Sequence, residues 1–247
     1  MNHKFYDEVN ALIQYEPSYI WDKEWIAMAK DLGIEKGKPF SPDPRMKNIF
    51  DEASKIASVE ARATYFYPEE SMKVYDDRYW FTSLISGHEF KDDNGVVSID
   101  GRTSFHFMAT GITPDMVANK IGQGSAYLLG TRDNKEQLLD GGEHYTVTLP
   151  KDIPVASFWS FMVYDNQTRS MLETDQKSAG VDGLGENIRK NEDGSITIHF
   201  SPTPPKGWEN NWVQTMPNKG FNVIFRAYGP TEAWFDKSWR PSDLQKK

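Results

Sequence analysis

The sequence predicts a mainly β fold, an antiparallel β-sandwich with a helical segment at its N-terminus. Two observations carry this prediction. From about residue 65 onward, short apolar runs alternate with turn dipeptides such as Asn94-Gly95, Asp140-Gly141 and Asp193-Gly194. Asn-Gly and Asp-Gly supply the positive φ that tight turns need, and many short strands so punctuated point to an antiparallel sandwich or barrel. The chain is also rich in rings, with 14 Phe, 11 Tyr and 8 Trp in 247 residues. Such side chains favour strands and large buried surfaces.

Residues 1–64 form the expected helical segment. Phe5, Val9, Leu12 and Ile13 recur at helical spacing, and Ile20, Trp21, Trp25, Ala29 and Leu32 make a second stripe, with Pro17 and Ser18 between them. A third helix is expected to start near Pro42–Pro44 and to turn Ile49, Phe50, Ala53, Ile56 and Ala57 inward. Residues 65–247 form the expected β domain, with strands at 102–109, 143–149, 157–164, 195–200 and 221–228. The run 157–164 is apolar on both faces and is placed as a central strand.

Composition excludes several functions. The net charge of −8 leaves no surplus of Lys and Arg for phosphate contacts, which argues against a nucleic-acid partner. No apolar run has the length of a transmembrane helix. The absence of cysteine removes disulfides, thiolate nucleophiles, iron–sulfur clusters and cysteine-based zinc sites. The first residues lack a basic and apolar signal sequence, so the chain reads either as cytoplasmic or as a mature or shortened form.

Motifs for catalysis are missing. There is no nucleophile elbow, P-loop, zinc-protease helix or dinucleotide fingerprint; Gly122-Gln123-Gly124-Ser125 lacks the lysine that would hold phosphate. Histidines 3, 88, 106, 144 and 199 stand singly, without metal-ligand spacing, and no metal or cofactor is assigned.

Strand alternation gives the candidate site. Read as a strand, 102–108 places Arg102, Ser104, His106 and Met108 on one face. That face is either a solvent-facing polar stripe or a cavity wall, where Arg102 clamps a carboxylate and His106 moves protons. On 221–228, Asn222, Ile224, Arg226 and Tyr228 share a half-apolar face, so Arg226 is expected to be partly buried in a structural ion pair, with a substrate clamp as the alternative. His199 and His144 are expected on outward faces. Trp159 and Tyr164 are expected in the core, and Asp140 and Asp165 as turn formers.

Arg102, Leu139-Asp140-Gly141 with Tyr145, Pro154, Phe158-Trp159-Ser160, Tyr164-Asp165, Asn191 with Asp193-Gly194-Ser195, Asn211-Trp212, and Arg226 with Tyr228-Gly229-Pro230 resemble domain-of-unknown-function family 1214. The resemblance runs from about Arg102 to Trp239. The upstream segment resembles the stretch that precedes this domain in longer bacterial proteins, which also carry family 1254. The resemblance implies a jelly-roll sandwich in a bacterial or viral, often exported, setting, and supplies no catalytic residues. One departure is the run 172–180, where the family often has Asn-Pro and Arg-Tyr pairs.

Two functions follow. The first is a jelly roll that binds or acts on a small polar or carbohydrate-like ligand, with Arg102, His106, Tyr164, Arg226 and Tyr228 lining the site. The second is an assembly module that forms a homo-oligomer through its helices and through Trp21, Trp25, Trp208, Trp212, Trp234 and Trp239.

Overall fold

A computed structural model describes residues 2–84, 89–109, 120–185 and 187–247. Two compact units divide the chain, Met1–Ala63 and Thr64–Lys247. His88 lies outside the described residues.

The N-terminal unit contains α1 (Lys4–Tyr15), α2 (Lys23–Asp31) and most of α3 (Pro44–Phe66). Its core is small. Ile13, Ala29 and Ile34 are buried with Tyr6, Val9 and Phe40 against them. Phe50 is buried beneath Tyr6, whose ring stacks at 4.0 Å. The inward stripe of α3 differs from expectation: Phe50, Ser54 and Ala61 are buried, whereas Ile49 and Ile56 are exposed.

In the C-terminal unit the described residues form eight strands in two four-stranded sheets. Sheet I has the order β1-β7-β3-β4, with β1 Ser125–Gly130, β3 Trp159–Asp165, β4 Gly180–Asp182 and β7 Phe221–Tyr228. Sheet II has the order β6-β5-β2-β8, with β2 Tyr145–Leu149, β5 Ile196–Ser201, β6 Trp212–Gln214 and β8 Gln245–Lys246. The pair β5–β6 is parallel and the other named pairs are antiparallel.

Period-two alternation fixes what each sheet buries. In sheet I, Ala126, Leu128, Phe161, Val163, Phe221, Val223, Phe225 and Ala227 point to one face and are essentially inaccessible. Sheet II contributes Tyr145, Val147, Leu149, Ile198, Phe200 and Val213 to the same apolar cluster. Rings join the sheets: Phe161 lies 5.6 Å from Phe200, edge to face, and Tyr145 lies 5.8 Å from Phe221. Each such side chain contributes about 1.5–3 kcal/mol by leaving water. Trp234 and Trp239 close one end of this core by stacking on Phe225 at 6.0 and 5.9 Å. They are therefore core residues and not interface residues; Trp21, Trp25, Trp208 and Trp212 are half-buried.

The two sheets and the N-terminal helices agree with the expected architecture, with more helix than expected, 29% helical against 24% strand. The largest single change is at 102–109, which is not a strand but part of helix α4 (Ile99–Ala109). The Ser98 hydroxyl accepts the Gly101 N–H at 3.2 Å, a helix start that competes with strand pairing. Gly101, Ser104 and Phe105 then bury one helical stripe, which the local alternation of Phe105 and Phe107 disguises.

The turn formers behave as expected. Asp165 Oδ1 accepts the N–H groups of Gln167 and Thr168 at 2.6 and 3.3 Å, while Lys219 pairs with its other oxygen. Asp140 Oδ1 accepts Gly142 N–H at 2.8 Å. Gly194, with φ +83°, takes the left-handed turn before β5. Gly141 serves differently, because a Cβ there would lie 2.2 Å from the Met216 carbonyl oxygen.

Candidate functional site

The second face of sheet I carries the candidate site. Because Ala126, Leu128, Phe225 and Ala227 point into the core, their neighbours Tyr127, Leu129, Ile224 and Arg226 must point away from it. Register places Tyr127 beside Arg226, and Leu129 and Met162 on either side of Ile224. Helix α4 supplies Phe105, Met108 and Ala109, and residues 82–84 supply Thr82, Ser83 and Leu84. Together with Tyr65, Tyr164, Arg169 and Asn222 they enclose a cavity of about 200 Å3.

The cavity has few polar groups, and these are ordered. Asn222 Oδ1 accepts the buried Tyr65 hydroxyl at 3.0 Å, and Asn222 Nδ2 donates to Asn166 Oδ1 at 3.0 Å. The Tyr127 hydroxyl is 2.7 Å from Ser125 Oγ. Arg169 anchors at the wall by donating to the Phe107 carbonyl at 2.8 Å, with its guanidinium 4.4 Å from the Phe107 ring.

Arg226 and Tyr164 form the charged corner. Arg226 Nη2 donates to the Tyr164 hydroxyl oxygen. Arg226 Nε is buried without a hydrogen-bond partner, and among the described residues no carboxylate pairs with this guanidinium. The expected structural ion pair is thus absent there. Burial raises Tyr164 above its ordinary value and Arg226 offsets only part of the rise, so the phenol stays protonated at neutral pH. Burial raises Tyr65 likewise.

Of the five residues singled out from the sequence, the structure brings Tyr164 and Arg226 together in the cavity wall. Tyr228 shares their sheet face but stacks on Phe158 at 4.2 Å. Arg102 lies on α4, with Nη2 3.4 Å from the Glu89 carbonyl and its guanidinium 5.9 Å from the Phe90 ring, and His106 is exposed on the same helix. Neither lines the cavity. Residues 172–180 contribute nothing to the described lining; Leu172 and Ala179 pack into the core instead. Tyr65, Tyr127 and Arg169 were not anticipated. The alternation in Ser125–Gly130 was a usable signal for Tyr127, whereas Tyr65 and Arg169 arrive from a helix end and a turn.

A second cluster sits on the outward face of sheet II. His199 faces Thr146 in the β2–β5 register, and its Nδ1 lies 2.9 Å from His144 Nε2. The ring of Trp208 lies 4.9 Å from that of His199, and Arg189 packs on Trp208 at 4.2 Å. Asn211 fixes the Arg189 backbone from both sides, at 2.8 Å each. His199 is therefore 8% exposed, not an open surface residue as the alternation implied. Burial, then His144 and Lys247, lowers it to about 4, and burial followed by Lys247 lowers His144. His199 Nε2 is buried without a partner. If Nδ1–H donates to His144, that Nε2 is a bare lone pair rather than a stranded N–H, which is the less costly arrangement.

Among the described residues no group of three or more His, Asp or Glu side chains is placed to hold a metal ion. No helix among them is long and apolar enough to cross a membrane.

None of the curated proteins matches this sequence. The fold is similar to the crystal structure of the VPA0106 protein from Vibrio parahaemolyticus, with a TM-score of 0.54 and 19% identity over 98% of this chain and 55% of that one. A crystal structure of an uncharacterised protein from Burkholderia cenocepacia aligns with a TM-score of 0.37 and 16% identity over 91% of this chain and 48% of that one. The chain spans about half the length of these solved structures. Residues 124–232, in the C-terminal part of the chain, match the model of the family described as protein of unknown function, DUF1214, a span that includes Tyr164, Arg226 and Tyr228 but not Arg102 or His106.

Proposed function

We propose that the C-terminal unit binds a small molecule in the cavity between α4 and the second face of sheet I. The single observation that carries this reading is the Arg226–Tyr164 corner, two polar groups converging in a ring-lined concave space, which is the usual make-up of a small-ligand site. Of the wider set proposed from the sequence, Tyr228 extends the same face, and Arg102 and His106 belong to the helix that covers it. The two sheets are read as a sandwich of jelly-roll type. Their four-plus-four division and the insertion of β7 between β1 and β3 support that reading.

The test is a thermal-shift screen of small polar molecules and sugars on the wild type and on Ile224→Trp, which fills the cavity. A ligand present at about 100 times its Kd adds about 2.7 kcal/mol, or several degrees for a chain of this size. Shifts confined to the wild type are expected. Ligands that stabilise the filled variant equally, or a screen without any shift, overturn the proposal.

A second reading assigns self-association to the N-terminal unit. Phe5, Leu12, Ile20, Met28 and Leu32 are exposed on a unit that also presents half-buried Trp21 and Trp25. Phe5, Leu12, Met28 and Leu32 line one apolar groove with Trp21 and Trp25, and contiguous apolar surface of this kind marks interaction sites. Light scattering that finds only monomer at micromolar concentration refutes it.

A further inference from the structure

We infer that the cavity selects a small organic acid, a carboxylate on a compact aromatic or branched apolar body, rather than a neutral sugar. The inference rests on the small-molecule reading above and specifies its chemistry.

The polar groups available to a ligand at the corner are donors. The guanidinium of Arg226 has Nε buried and unpartnered, and no carboxylate among the described residues neutralises it. A half-buried cation without a counter-ion is costly, and the cost is relieved by an anion supplied from outside. The Tyr164 oxygen accepts from Arg226, and the Tyr164 proton has no acceptor among the described residues. Arginine with an adjacent hydroxyl donor suits the two oxygens of a carboxylate. Arg169 brings a second positive charge to the wall, and the described lining contains no Asp or Glu.

The remaining wall fits an apolar body. Leu84, Phe105, Met108, Leu129 and Ile224 offer no hydrogen bonds, so the hydroxyls of a hexose would lose their water without replacement. A cavity of about 150 Å3 accommodates one benzene ring. The space here, about 200 Å3, holds a ring and its carboxylate.

The experiment compares benzoate, benzamide and glucose by calorimetry and thermal shift at pH 7.5. Benzoate is expected to bind between about tenfold and a hundredfold more tightly than its neutral isostere, the range that a hydrogen bond to a charged group confers. Arg226→Gln should remove that preference. Met108→Trp, which leaves Arg226 in place but fills the space, should remove binding of both, so a folding defect in one variant does not decide the matter. Equal affinity for benzoate and benzamide, or an acid preference unchanged in Arg226→Gln, overturns the anion inference alone. Binding of glucose without benzoate also overturns it while sustaining the small-molecule reading. If none of the three probes binds, the anion inference falls, and the small-molecule reading falls with it only where the wider screen also gives no shift.

Discussion

The His144–His199 pair predicts a loss of stability in mild acid. His199 takes up its proton at about 4 in the folded protein against 6.5 in the unfolded chain. Between these values the unfolded state binds a proton that the folded state refuses, so stability falls as pH drops from 7 toward 4. Below about 4 both states are protonated and this contribution no longer changes. From pH 7 to pH 5 the loss from His199 is about 2 kcal/mol by linkage. For a domain of this length that corresponds to a Tm decrease of about 4–8 °C. His144, also lowered, acts in the same direction. Thermal unfolding followed by circular dichroism at pH 7, 6 and 5 measures the loss, with His199→Gln as the comparison. The variant sets aside carboxylates such as Asp165. Burial opposes its charge, but Lys219 and two backbone N–H groups hold its pKa low, so its stabilising effect is lost only in stronger acid and in both proteins. A Tm decrease between pH 7 and 5 that is the same size in His199→Gln refutes the reasoning.

Other substitutions test the packing. Phe161→Ala removes a fully buried ring that touches Trp159, Phe200 and Phe225, and should cost about 3–5 kcal/mol in urea unfolding; a loss below about 1 kcal/mol would mean that the two sheets do not share a core. Gly141→Ala places a methyl 2.2 Å from a backbone oxygen, whereas Gly142→Ala meets its nearest atom, an Asp140 side-chain oxygen, at 3.3 Å. The first should destabilise by several kcal/mol and the second by under about 1 kcal/mol, and the reverse order would contradict the close approach of the 216–219 backbone.

What the sequence conveyed depended on whether the deciding contact was local. Strand β7 was legible to the residue, because Phe221, Val223, Phe225 and Ala227 alternate with more polar neighbours and both faces are used. The run 102–109 was misread because Phe105 and Phe107 mimic strand alternation, while the Ser98 cap that starts the helix lies outside the run. Strand β1 was missed. Its apolar run is short, and it follows directly on the glycines at 122 and 124 with no turn dipeptide of the Asn-Gly or Asp-Gly type to announce it. Alternation placed His199 on the outward face of its strand, but the Trp208 ring that buries it comes from a different segment. The candidate site follows the same rule. The face bearing Arg226 was readable, yet the cavity exists only because α4 and residues 82–84 come to lie over that face, and no local pattern reports this.

The position of β7 between β1 and β3 also orders events in time. Strands β1 and β3 pair with β7 and not with each other, so until residues 221–228 have been made β1 lacks its sheet I partner and β3 has only the short β4 beside it. At about 5–20 residues per second, β3 waits several seconds for that partner during synthesis. Over that interval its Trp159, Phe161 and Val163 side chains and its unpaired backbone edge face solvent, a state that invites pairing with other chains. Non-local closure of this kind also slows folding. Yield in the cell should therefore respond to chaperone supply and translation rate even where the folded state is unchanged.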